Sequence, residues 1–223
     1  MYNFKLVNCD TDSVTVCKQD GSPFSESEQE NLLKELNSLF PSQIHWEPDG
    51  YFESIIVLKT KNYILYDGKK VKIKESSLRD PKREPALKEF IHAIIDSIIY
   101  KKYNYLEIYE KYVKEILNVT DIKRWSSKKT VTSNVMNGTR MNEIKVREAI
   151  EDSEYKEGDK CYMYYDLDEN LRLVEDFDGR YHITRLLGKL YKTALIFSNV
   201  IDKDLFKNYS LKRSEKELDK FKI

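Results

Sequence analysis

The sequence predicts an α+β fold, and three patterns carry that expectation. Tyr2, Phe4 and Leu6 alternate, as do Val14 and Val16, which is the period of a strand that enters a turn and comes back. Further short apolar runs crowd residues 43–75, where Asp67-Gly68 sits between two of them as a hairpin turn. After Asp80-Pro81 the period lengthens to that of a helix, with one apolar stripe through Leu87, Phe90, Ile91, Ile94, Ile95, Ile98 and Ile99. An antiparallel β-sheet with a packed helix is therefore expected over residues 1–80, and a largely helical region over 81–223.

Taken in order, residues 2–7 and 13–18 are expected to form a hairpin. A helix over 26–39 follows from the capping-box pair Ser25 and Glu28 and from Leu32, Leu33, Leu36, Leu39 and Phe40 at helical spacing. Strands are expected near 43–47, 51–58, 62–66 and 71–75. The Leu87 stripe gives one helix, and Tyr105, Leu106, Tyr109, Tyr112, Val113, Ile116 and Leu117 give a second. Residues 119–150 are rich in hydroxylated and basic side chains and end in a helix over 142–150. A strand pair at 160–166 and 171–174 and a closing helix over 184–198 complete the core. The tail from about 208 is expected to be mobile, since Lys212 to Ile223 is mostly charged.

Composition narrows the function classes. No apolar run approaches the roughly 18 residues that cross a membrane, and the Met-Tyr-Asn-Phe-Lys start has no secretory character. A soluble, cytoplasmic protein is expected, in the host cytoplasm if the chain is viral. Cys9, Cys17 and Cys161 are too few and too scattered for a zinc site or a disulfide framework. Cys9 is expected to be a small buried hydrophobe. The histidines His45, His92 and His182 have no ligand spacing. With 38 basic and 38 acidic side chains the chain is neutral, so nucleic-acid binding would rest on how charge is distributed. Lys59, Lys61, Lys69, Lys70, Lys72 and Lys74 crowd one stretch, and Lys123, Arg124, Lys128 and Lys129 another.

The first hairpin carries Asn8-Cys9-Asp10-Thr11-Asp12-Ser13. Two carboxylates one residue apart repel each other unless a cation lies between them, and hard oxygen donors suit Mg²⁺ or Mn²⁺. The plain alternative is a polar turn, since Asp and Thr are ordinary turn formers. Glu35-Leu36-Asn37-Ser38-Leu39-Phe40-Pro41-Ser42 superficially copies a second acidic motif, but it lies on the capped helix and Glu35 is not a catalytic candidate.

Asp10-Thr11-Asp12-Ser13 resembles the third palm motif of family B DNA polymerases, usually Y-G-D-T-D-S, with Asn8-Cys9 in place of Tyr-Gly. Thr60-Lys61-Asn62-Tyr63, preceded by Trp46 to Glu53 and Ile55 to Lys59, is similar to the family's K-K-x-Y segment. Val71 to Leu78 resembles the strand that follows, with Glu75 where the family has glycine. The likeness is specific over about residues 2–90 and weaker beyond, where the chain resembles the family's thumb.

That resemblance implies a palm-type antiparallel sheet followed by a thumb that holds duplex DNA. It implies that Asp12 and Asp10 are the catalytic, metal-binding carboxylates of a two-metal Mg²⁺ site completed by another chain. Thr11 would pack or hydrogen-bond beneath the pair. Lys61 and Tyr63 would touch primer-template DNA, with Lys74 and Lys72 next along the backbone. In the thumb, Lys128, Lys129 and Thr130 supply groups that commonly position phosphates. The family's upstream D-x-x-S-L-Y-P-S aspartate and its dNTP-binding helix are expected on a larger chain that also bears the exonuclease, fingers and remaining palm. The chain is therefore expected to be the C-terminal portion of a DNA-directed DNA polymerase from an AT-rich, phage-like genome, inactive alone. Leu218, Phe221 and Ile223 resemble the sliding-clamp tails of replicative polymerases, although a frayed amphipathic end is the favoured reading. The competing expectation is a non-catalytic DNA-binding module derived from a thumb.

Overall fold

The protein has an α+β fold. The structure is a computed structural model and describes residues 4–74, 78, 80–211, 218 and 221, with the backbone alone for Asp10. The chain divides into two compact units, Met1–Ser76 and Ser77–Ile223.

In the first unit, β1 (Phe4–Asp10) pairs antiparallel with β2 (Ser13–Lys18). The register shifts between Leu6 and Asn8, so β1 carries one extra residue and the ribbon closes on a two-residue turn, Thr11-Asp12. The helix α1 (Glu26–Ser38) starts on a complete capping box, in which the Ser25 hydroxyl accepts from Glu28 N–H and the Glu28 carboxylate accepts from Ser25 N–H. The Lys18 ammonium reaches the same carboxylate at 2.7 and 2.8 Å and ties β2 to the helix start.

A separate three-stranded antiparallel sheet is built from β3 (Ser54–Lys59), β4 (Asn62–Tyr66) and β5 (Val71–Ile73) in that order. Ile56, Ile64 and Ile73 lie opposite one another across it, and Ile56, Leu58, Ile64 and Leu65 are buried. The β4–β5 turn uses Gly68 at φ 88. Asp67 accepts from the Lys70 and Lys69 backbone N–H groups, and those bonds hold its carboxyl below the usual range.

Residues 43–47, expected as a strand, are not one. The Asn37 side chain receives Trp46 N–H at 2.7 Å and donates to the Trp46 carbonyl at 3.0 Å. The backbone of Trp46 is thereby satisfied by a helix side chain and not by a neighbouring strand. Likewise β3 begins at Ser54 and not at 51.

The second unit opens with α2 (Pro85–Ile99) and α3 (Tyr105–Leu117). It closes with α6 (Ile183–Ala194), which packs on both. Phe90 meets Tyr109 and Tyr112 edge-on, and Tyr112 meets Trp125. Arg124 bridges Glu89 on α2 and Glu115 on α3. Lys189 on α6 pairs with Glu84, which is buried at the start of α2.

Between α3 and α6 the chain inserts a second small core. The strands β6 (Ser127–Thr130), β7 (Lys160–Tyr165) and β8 (Leu171–Leu173) form an antiparallel sheet in that order. The helices α4 (Ser133–Asn137) and α5 (Met141–Ile150) pack on it through Val131, Val135, Val146, Ile150, Cys161, Met163, Leu171 and Leu173. The expected pair β7–β8 is thus present, joined by a third strand in the segment read only as hydroxylated and basic. Within the expected mobile tail, Tyr209 and Phe221 are buried with rings edge-on, centroids 5.5 Å apart. Residues 212–217, 219, 220, 222 and 223 lie outside the described residues.

Candidate functional site

The acidic hairpin and the K-x-Y segment meet at their turns. Asp10 ends β1 opposite Ser13, and Thr11 and Asp12 make the turn. Thr11 takes φ 35, in the left-handed region where a β-branched residue is strained. Asp12 is exposed. Lys59 pairs with Asn62, so Thr60-Lys61 is likewise a two-residue turn, with Lys61 at φ 63. The Lys61 ammonium donates to the Thr11 hydroxyl at 3.3 Å. Thr11 is therefore a turn residue that presents its hydroxyl to Lys61. Thr11 is expected to pack or hydrogen-bond beneath the aspartates from an extended chain; its left-handed turn angle takes it out of that chain, and its hydroxyl hydrogen-bonds with Lys61.

Behind this contact lies the β3–β4–β5 sheet. Tyr63 pairs with Val57, its carbonyl accepts from Lys74 N–H at 2.8 Å, and Leu65 pairs with Lys72. Cross-strand partners share a face, so Tyr63, Lys72 and Lys74 belong to one side of the sheet. Lys72 and Lys74 are exposed, whereas Tyr63 is 9% exposed. Cys9, expected to be buried, is exposed: the β1–β2 ribbon is only two strands wide and buries none of its described side chains.

The carboxylates of Asp10 and Asp12 offer hard oxygen donors, which fit Mg²⁺ in kind. Two side chains do not fill an octahedral shell, and among the described residues no group of three or more His, Cys, Asp or Glu could hold a metal ion. In kind and number, these two carboxylates match at most part of such a shell.

In the second unit the structure separates residues that are adjacent in sequence. Register pairs Lys128 with Tyr162, Lys129 with Cys161, and Thr130 with Lys160. Lys128 and Thr130 therefore share one face with Tyr162 and Lys160, and Lys129 belongs to the other. On the Lys129 face, burial pushes the Cys161 thiol up, with Glu175 and Asp159 adding to the rise. Lys123 places its ammonium 5.0 Å from the centre of the Tyr162 ring. Tyr162 and Lys160 were not singled out by sequence reading, yet the alternation of β7 already set them on a common face.

Among the described residues no helix is long and apolar enough to cross a membrane. No family model matches the chain, and no curated protein matches it in sequence.

Proposed function

We propose that the chain is the C-terminal palm and thumb portion of a family B DNA-directed DNA polymerase. In that role it supplies Asp10 and Asp12 to a nucleotidyl-transfer site and holds primer-template DNA. The observation that carries this reading is the Lys61–Thr11 contact, which brings together two motifs fifty positions apart. Two hairpin turns with left-handed non-glycine residues, one acidic and one basic, suit a site that must hold metal and phosphate side by side.

The reaction is attack of a primer 3′-hydroxyl on the α-phosphorus of a dNTP, forming the new phosphodiester and releasing pyrophosphate. Mg²⁺ bound there would neutralise charge on the reacting phosphate and favour the ionised hydroxyl. Asp12, exposed at the turn, is the principal carboxylate, and Asp10 stands beside it at the strand end. Lys61 anchors the acidic turn and offers its charge to the primer-template backbone. Lys72 and Lys74 extend that basic edge along the sheet face that carries Tyr63.

A larger chain bearing the exonuclease, fingers and rest of the palm completes the enzyme. Support comes from the apolar surface of the first unit. Leu6, Val14, Leu39, Ile44 and Tyr51 are exposed, and α1 buries none of its residues despite an apolar stripe. The experiment is primer extension by the chain with its co-purified partner, using Asp12→Ala. A thumb-derived binding module would tolerate that change, whereas a polymerase portion loses synthesis.

A further inference from the structure

We infer that Lys123, Lys128 and Lys160, arranged around Tyr162 on one face of the β6–β7 pair, form the phosphate-contacting surface of the second unit, and that Lys129 does not belong to it. The inference rests on the reading of that unit as a holder of duplex DNA, and it names the residues that do the holding. The β-ladder fixes the arrangement. Lys128 lies directly across from Tyr162, Lys160 across from Thr130, and Lys123 stands over the Tyr162 ring from the 3-10 turn before β6. Three ammonium groups and one hydroxyl from Thr130 thus share a patch with a half-buried aromatic ring.

The charges in this patch differ from the cations of the unit that are held in ion pairs. Arg124 is held by Glu89 and Glu115, Arg172 by Asp166, Arg180 by Asp178 and Lys189 by Glu84. Among the described residues Lys123, Lys128 and Lys160 have no carboxylate within 4.0 Å. Like charges left uncompensated on one face raise the local potential and cost self-repulsion, which a polyanion would relieve. A duplex backbone supplies closely spaced anions that three lysines can contact at once, with release of bound counterions. The Lys123 ammonium sits over the Tyr162 ring, a contact that restricts where that charge can go. Lys129 shares its side of the sheet with Cys161, near Glu175 and Asp159, where acidic groups oppose a phosphate.

The test is a fluorescence-anisotropy titration of the full chain with a short blunt DNA duplex over a range of salt. Lys123→Ala, Lys128→Ala and Lys160→Ala are compared with Lys129→Ala, with thermal melts to check folding. Each of the first three should lower the slope of log affinity against log salt by about one, and Lys129→Ala should leave it unchanged. Tyr162→Leu should weaken binding with little change in slope, because it removes no charge. Equal losses for Lys129→Ala and Lys128→Ala would overturn the assignment of faces. No duplex binding by the folded chain, or equal binding of polyglutamate, would overturn the phosphate-contacting surface itself. The polymerase reading stands or falls separately, on Asp12→Ala in primer extension.

Discussion

Lys61 Nζ donates to Thr11 Oγ1 at 3.3 Å, joining the turns of two β-hairpins that are fifty residues apart in sequence. Both residues hold left-handed backbone angles, Thr11 at φ 35 and Lys61 at φ 63. Strain in a β-branched turn residue is kept where its side chain has a use, and here the hydroxyl receives the only basic group of the neighbouring turn.

Thr11→Gly separates strain from use. Glycine enters the left-handed region freely, so the hairpin should gain stability or hold even, by up to about 1 kcal/mol. Loss of the hydroxyl should at the same time lower primer extension by the reconstituted polymerase, roughly fivefold for a contact worth about 1 kcal/mol. Lys61→Ala should lower extension at least as much and weaken DNA binding. Parallel melts and extension assays would show the two effects moving apart. A Thr11→Gly protein with undiminished extension would leave the contact without a function.

The Lys18–Glu28 pair gives a pH signature. Hydrogen bonds from Lys18, then from Ser25 N–H and its hydroxyl, lower the Glu28 carboxyl to about 2. Its folded value lies below its unfolded value, so the stabilisation is present above pH 4.5, the ordinary value. It is lost as pH falls through about 2. The Glu28 side chain is 45% exposed, so the effect on global stability should be small. NMR titration should find Glu28 with the lowest glutamate midpoint near the capping box, and Lys18→Ala should move it upward.

In the second unit, Glu84 is 5% exposed and pairs with Lys189. Lys189→Met leaves a buried carboxylate without its cation and should destabilise the unit by about 3 kcal/mol. Adding Glu84→Gln should recover much of that loss, because the uncompensated charge is then gone. Urea unfolding of the two variants measures the difference. Equal instability of single and double variants would assign the cost to packing.

Local patterns made much of this fold legible. The β1–β2 alternation, the Ser25–Glu28 box, the Asp67-Gly68 turn and the two long stripes each depend on neighbours within a turn or two. Where distant groups took over, the sequence was silent. Asn37 captures the backbone of Trp46 and prevents a strand at 43–47. β6 is four residues of serine, lysine and threonine, with no apolar alternation, and it exists because β7 pairs with it. Cys9 looked like a core residue by type, but a two-stranded ribbon has no core to offer it. Asp10, Asp12 and Lys61 could be named from their motifs. The contact of Lys61 with Thr11, which lies between the two aspartates, could not, since it depends on the placing of two hairpins.

Asp12 is the residue on which the polymerase reading turns. Tagged chain should be drawn from its native lysate together with the larger chain that the proposal calls for, and the eluate assayed for Mg²⁺-dependent primer extension. Wild-type eluate should extend primer, the purified chain alone should not, and Asp12→Ala should lower extension by a factor on the order of 10² or more. Extension that survives Asp12→Ala, or a chain that comes down without partner and only binds duplex, would contradict a catalytic role and leave a DNA-binding module.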